Sequence, residues 1–234
     1  MKKATGITCA FLDIGGVLLT DGWDHLARRR AAKNFKLEWA EMEERHGLTF
    51  EVFEEGKITL DEYLSLVVFH QRRTFTRNQF RRYMFAQSKA FPEMIELVAQ
   101  LKLKLGLKIA IVSNEARELN AYRIDRFSLD RLVDCFISSC FVHIRKPDAD
   151  IFRLALDIAQ VRPAQAVFID NTLMFVQIAE GLGIHGILHT DCQSTRAKLS
   201  HLGLNVEGTV GCKARVRYPN PVNFIAGWKP HPHS

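Results

Sequence analysis

The sequence predicts an α/β protein: a Rossmann-like, doubly wound parallel sheet interrupted after its first strand by an all-helical insertion. Three observations carry that expectation. A short apolar run over residues 7–13 ends in Asp13-Ile14-Gly15-Gly16 and is bounded by glycines, as a buried strand is. From about residue 20 to 91 apolar residues recur at helical spacing with no strand-like run among them. From Pro92 to Leu202 strand-like and helix-like segments alternate, the pattern of a parallel sheet covered by helices on both faces.

The elements follow in order. After the first strand, the helical block carries its own start signals. Thr59 precedes Leu60-Asp61-Glu62, and Thr76 precedes Arg77-Asn78-Gln79, so each reads as a capping box. Leu60, Tyr63, Leu64 and Val67 then share one helix face. Helices are expected over 93–105, 115–126, 148–159, 174–182 and 194–202. Strands are expected over 108–112, 133–138, 166–170 and 185–189. This divides the chain into a core of residues 1–19 and 92–207, a helical cap of residues 20–91, and an irregular proline-bearing tail of residues 208–234 (Pro221, Pro230, Pro232). His231 and His233 alternate with those prolines and read as a solvated terminus rather than a metal site.

Composition bounds the class. The 234 residues are 47% hydrophobic and 25% charged, a soluble globular balance that supports a sizeable core. The net charge of +6 is spread over basic clusters (Arg28-Arg29-Arg30, and Arg72 to Arg82) separated by acidic runs such as Glu41 to Glu44. These read as solvated helix faces, so no nucleic-acid partner is expected. Nothing approaches the roughly 18 apolar residues of a membrane span, and no secretory leader pattern opens the chain. The five cysteines are odd in number and form no CxxC, which fits reduced thiols and a cytoplasmic protein.

Four loops carry chemistry. Each follows a strand, and in a parallel sheet all four share the carboxyl edge, where ligands bind. They bring Asp13, the Ser113-Asn114-Glu115 segment, Arg145-Lys146-Pro147-Asp148, and Asp170-Asn171-Thr172. A carboxylate can attack phosphorus and form an aspartyl phosphate. A dianionic substrate would repel it, so a cation is needed, and Mg²⁺ takes one or two carboxylates plus substrate phosphate. Lys146 offers a second positive charge and Ser113 a hydrogen bond to a phosphoryl oxygen. Structural alternatives stand beside each role: a turn for Asp13, a helix N-cap for Ser113-Asn114 or for Asp170, Asn171 and Thr172, and an exposed loop lysine for Lys146.

The ordered set Asp13, Ser113, Lys146-Pro147 and Asp170, with a helical block after the first, resembles the haloacid dehalogenase-like hydrolases of subfamily I over about residues 7–204. The resemblance implies that Asp13 is nucleophile and metal ligand, and that Lys146 steadies nucleophile and phosphate. Ser113, with Asn114 and Gly16 beside it, is expected to contact substrate. The Gly15 carbonyl, Asp170 and Asn171 are expected to join Asp13 around Mg²⁺. The partner implied is a small phosphorylated metabolite; the oligomeric state is left open. Glu54-Glu55-Gly56 is similar to a cap loop that overhangs the site in relatives, and equally to a solvated turn. Trp23 and Asp24 fall near the core–cap hinge. Phe50, Phe53, Phe69 and Tyr83 are candidates to line a pocket or to pack the cap, and His143 and His185 read as structural.

Two residues depart from the family pattern. Relatives usually carry aspartate where Gly15 stands; its side chain moves protons and its carbonyl binds metal. Gly15 keeps the carbonyl and loses the acid, a loss of roughly 10²–10⁴-fold in general acid–base catalysis, least harmful with good leaving groups. Relatives also often carry a second acid where Asn171 stands, so weaker Mg²⁺ binding is expected. Three functions therefore compete: a Mg²⁺-dependent phosphatase, a metal-independent 2-haloacid dehalogenase and a non-catalytic phosphate-binding protein. The dehalogenase would need a cap arginine such as Arg28, Arg29 or Arg30 for the substrate carboxylate.

Overall fold

The computed structural model describes residues 6–206. Five parallel strands form one sheet: β1 (Cys9–Leu12), β2 (Lys108–Ser113), β3 (Cys135–Ser138), β4 (Ala166–Asp170) and β5 (His185–Leu188). Their order is β3-β2-β1-β4-β5, with β1 central. Leu12 pairs with Ile111 on one side and Ile169 on the other, so Asp13 and Asp170 are level and Ser113 stands one residue further along its strand. The fold class is the one expected: a doubly wound parallel sheet.

Both faces of β1 are buried, which is why its sequence is apolar without alternation. Ala10 and Leu12 face a cluster completed by α5 (Pro92–Leu105) and α10 (Cys192–His201). Cys9 and Phe11 face a second cluster with α8 (Asp150–Ala159) and α9 (Leu173–Gly181).

Between β1 and α5 lie α1 (His25–Phe35), α2 (Trp39–Glu54), α3 (Leu60–Val67) and α4 (Arg77–Phe85), with no strand among them. Thr59–Glu62 and Thr76–Gln79 form the two capping boxes. These helices enclose their own apolar cluster around Tyr63, Phe53 and Phe80, and Phe69 and Tyr83 pack against it. Two chain segments link this block to the sheet, side by side. The Thr20 N–H donates to the Lys89 carbonyl at 2.8 Å, and the Phe91 N–H to the Leu18 carbonyl at 2.9 Å.

Several element ends differ from the sequence expectation, each for a local reason. The helix expected from residue 115 starts as α6 (Arg117–Arg126), because the Glu115 N–H is taken by Ser139 Oγ at 2.9 Å. The helix expected from residue 194 starts at Cys192, because the Asp191 carboxylate caps it by accepting from the Ser194 N–H at 2.8 Å. The helix expected from residue 148 starts at Asp150, whose N–H the Asp148 carboxylate accepts at 2.9 Å. The loop after β3 contains an unexpected short helix, α7 (Ser139–Val142). Residues 208–234, with His231 and His233, lie outside the described residues.

Candidate active site

The four loops meet at the carboxyl edge of the sheet. Lys146 is buried at their centre, with Nζ 3.1 Å from Asp13 Oδ1 and 2.6 Å from Asp170 Oδ2. Burial alone would push its ammonium down. The charges of Asp13 and Asp170 and the hydrogen bond to Asp170 outweigh this and hold it above the ordinary lysine value. The cluster has one carboxylate more than it has ammoniums. Burial and the neighbouring Asp13 accordingly raise Asp170. An exposed loop lysine is thereby excluded for Lys146.

The backbone around Lys146 is held by Asn114. Its Oδ1 accepts from the Lys146 N–H at 2.8 Å, and its Nδ2 donates to the Lys146 carbonyl at 2.8 Å. Ser113 is buried, and its hydroxyl accepts weakly from the Ile14 N–H at 3.4 Å. Neither residue caps α6, whose N-cap is Ala116. Asp170 caps no helix either; Thr172 is the N-cap of α9, and Asp170 Oδ1 accepts from its N–H at 2.7 Å.

Gly16 has φ +69°, where a side chain is strained, and a Cβ there would fall 2.0 Å from Asn171 Nδ2. Gly15 is tight in another way. A Cβ built on it would lie 3.3 Å from Asp21 Oδ1 and 4.0 Å from Asp13 Oδ2.

Asp13 opens into a cavity of about 380 Å³ roofed by the helical block. Trp23, Asp24, Phe50, Phe53 and Glu54 line it, together with Arg28 and His46. Asp24 accepts from the Ala27 N–H at 2.6 Å and so caps α1. Glu54 is held by Arg145 at 2.9 Å, and burial raises its carboxyl against that pairing. The Glu54-Glu55-Gly56 turn packs on the core rather than standing in solvent. Ser139 Oγ donates to the Glu54 carbonyl at 2.6 Å, and His143 Nδ1 lies 2.7 Å from the Glu55 carbonyl. His185 is far from this turn in the fold, against the Ala164 carbonyl at 3.2 Å.

Of the three adjacent arginines, Arg28 lines this cavity and Arg29 and Arg30 are exposed. The Arg28 guanidinium is spent on Glu43 (2.6 and 2.9 Å) and on the Trp23 carbonyl (2.8 Å).

Two residues matter here that the sequence reading did not single out, Asp21 and Arg123. Asp21 reaches the space beside Gly15. Arg123 is fully buried and pairs with Glu115, donates to Ser88 Oγ at 3.0 Å and to the Asp21 carbonyl at 2.8 Å. Burial, and next the nearby charges of Asp13 and Glu54, push Glu115 up to about 7 despite Arg123. The Asp21-Gly22 turn ending the Val17–Leu19 run was the one available signal for Asp21. Arg123 offers none, since a buried arginine in a helix reads like a solvated one.

Comparison with known proteins decides the family. A family model described as haloacid dehalogenase-like hydrolase matches residues 7–183. The chain belongs to the haloacid dehalogenase-like hydrolases. It is similar to Acyl-CoA dehydrogenase family member 10 of Mus musculus, 34% identical over 101 residues, which is 43% of this chain and 9% of that protein. It is also similar to the phosphorylated carbohydrates phosphatase of Thermotoga maritima, 26% identical over 191 residues, covering 76% of this chain and 84% of that protein. Among solved structures, the HAD family enzyme bt-2542 of Bacteroides thetaiotaomicron, in its magnesium complex, superposes with a TM-score of 0.66 at 21% identity, covering 77% of this chain and 91% of that one. That likeness concerns the fold.

Among the described residues no helix is long and apolar enough to cross a membrane.

Proposed function

We propose that this hydrolase is a Mg²⁺-dependent phosphatase of a small phosphorylated metabolite, working through an aspartyl phosphate on Asp13. The observation that carries the reading is the excess of carboxylate around one buried ammonium: Asp13 and Asp170 share Lys146 beneath an open cavity. We read residues 20–91 as the cap over that cavity and residues 1–19 with 92–207 as the core.

The donor set fits Mg²⁺. No cluster of three or more His, Cys, Asp or Glu side chains suited to a metal occurs among the described residues. Two carboxylates (Asp13, Asp170), the Gly15 carbonyl and the Asn171 amide oxygen are hard oxygen donors, and Mg²⁺ commonly keeps waters and one or two carboxylates. Bound there, Mg²⁺ would offset the negative charge of substrate phosphate beside Asp13.

The other roles belong to the chain itself. An Asp13 oxygen attacks phosphorus. Lys146, locked by Asn114, orients Asp13 through their contact at 3.1 Å and faces the phosphoryl oxygens. Ser113 Oγ, which among the described residues accepts a long bond from Ile14, is available to donate to a phosphoryl oxygen, and Gly16 lets the backbone approach it. A cavity of about 380 Å³ accommodates a metabolite of sugar-phosphate size. The likeness to a carbohydrate-phosphate phosphatase supports that class.

A haloacid dehalogenase reading lacks its carboxylate clamp, because Arg28 is already occupied by Glu43 and Arg29 and Arg30 are exposed. The test is a panel of phosphorylated metabolites and an aryl phosphate, with and without Mg²⁺. Asp13→Asn is expected to abolish turnover, and chelator to suppress it. Undiminished turnover in Asp13→Asn would overturn the reading.

A further inference from the structure

The missing acid at Gly15 has a counterpart in space. A Cβ on Gly15 would lie 3.3 Å from Asp21 Oδ1, and a Cβ on Gly16 would lie 2.9 Å from the same oxygen. The Asp21 carboxylate therefore borders the space that a side chain at residue 15 would enter, and Asp13 Oδ2 lies 4.0 Å from the same Cβ position. It also lines the cavity above Asp13, and the residue as a whole is exposed.

The Asp21 carboxylate is hydrogen-bonded by the Asn171 side chain, and the other carboxylates above Asp13 are committed to partners of their own. Asp24 caps α1. Glu54 is paired with Arg145. Glu115 is buried against Arg123. Arg123 takes the backbone carbonyl of Asp21 rather than its carboxylate. That bond and the one from the Trp23 N–H, at 3.0 Å to the same carbonyl, fix the backbone while leaving the carboxyl group facing the cavity. The Thr20–Lys89 and Leu18–Phe91 hydrogen bonds fix the segment that leads into it.

Resting on the phosphatase reading above, we propose that Asp21 is the general acid–base residue of this enzyme, standing in for the aspartate absent at Gly15. In the first step an Asp13 oxygen forms a bond to phosphorus. The P–O bond to the leaving group breaks, and its electron pair stays on the leaving oxygen, which takes the proton from the Asp21 carboxyl and departs as an alcohol. In the second step a water oxygen attacks the aspartyl phosphate and gives its proton to the Asp21 carboxylate. The electron pair of the P–O bond returns to Asp13, inorganic phosphate leaves, and Asp21 is again protonated.

The experiment compares an aryl phosphate, whose leaving group needs no proton, with an alkyl phosphate, whose leaving group does. In Asp21→Asn the aryl phosphate is expected to give a burst of about one phenolate per site. Steady-state turnover then falls roughly 10²–10⁴-fold, because the aspartyl phosphate waits for a base. On the alkyl phosphate both phases are lost. Gly15→Asp combined with Asp21→Ala is expected to restore at least about tenfold over Asp21→Ala alone. Gly15 does not lie in the left-handed region, and the smaller side chain at residue 21 removes the 3.3 Å contact to Oδ1, leaving the Asp21 Cα at 3.4 Å.

Turnover of both substrates by Asp21→Asn within threefold of the unaltered protein would overturn the proposal. So would burst and steady state falling together with no restoration by Gly15→Asp, the signature of a merely structural aspartate. Asp13→Asn separates the two readings. If it keeps full activity, the aspartyl-phosphate mechanism itself fails, and the role of Asp21 with it.

Discussion

Asn114 grips the backbone of Lys146 at both ends of one residue: its amide oxygen accepts from the Lys146 N–H and its amide nitrogen donates to the Lys146 carbonyl, each at 2.8 Å. Thirty-two positions separate the two residues in the chain. The pair ties the loop after β2 to the loop after β3 and aims the ammonium between Asp13 and Asp170.

Asn114→Asp is expected to break this grip, since a carboxylate cannot donate to the Lys146 carbonyl. Catalytic turnover should fall at least tenfold while far-UV circular dichroism stays unchanged. Asn114→Ala should lose both bonds and cost about 1–3 kcal/mol of stability, read by urea denaturation. Turnover within twofold of the unaltered protein in both variants would show that Lys146 needs no such positioning.

Arg123 and Glu115 form a buried ion pair that also anchors the Asp21 turn. Removing one member of such a pair leaves a charge without its partner. Arg123→Met is expected to destabilise the protein by about 3–5 kcal/mol, measured by chemical denaturation. Glu115→Gln in the same background should recover part of the loss, because the charge is then gone as well.

His46 gives the protein a specific acid sensitivity. The Trp23 Nε1–H donates to the Tyr63 hydroxyl at 2.9 Å, which leaves the hydroxyl proton for His46 Nδ1, also at 2.9 Å. That bond needs an unprotonated Nδ1. Burial, and then the Arg28 charge, push the imidazole down to about 4. The folded state thus takes its proton later than the unfolded chain, whose value is 6.5. Stability is full above pH 6.5 and falls as the pH drops towards 4, by up to about 3 kcal/mol. In His46→Gln the fall across that window should shrink by about this amount. Parallel stability–pH curves for the two proteins would refute it.

Gly16→Ala probes the loop proposed to face the metal. The left-handed φ costs about 1–2 kcal/mol for a residue with a Cβ, and the added carbon would meet Asn171 Nδ2. Weaker Mg²⁺ binding by calorimetry, along with a lower Tm, is the expected outcome. Unchanged Mg²⁺ affinity would show that Asn171 takes no part in holding the cation.

The sheet and its chemical edge are legible in the amino-acid pattern alone. Apolar runs buried on both faces mark β1, β2 and β4, and the polar residues that end them have nowhere to go but the carboxyl edge. Asp13, Ser113 and Asp170 were legible for that reason, and Lys146 from the Lys-Pro signature that follows the third strand. The capping boxes at Thr59 and Thr76 were legible because capping is local, made within three or four residues. What needed tertiary structure is non-local. The sequence shows Gly15 as the loss of an acid; only the fold brings Asp21 Oδ1 to 3.3 Å from the missing Cβ. Likewise Arg123 and Arg28 look like any surface arginine until Glu115 and Glu43 are packed against them. Periodicity reports which face of an element is buried, whereas the partner of a buried charge is chosen by packing between elements far apart in the chain.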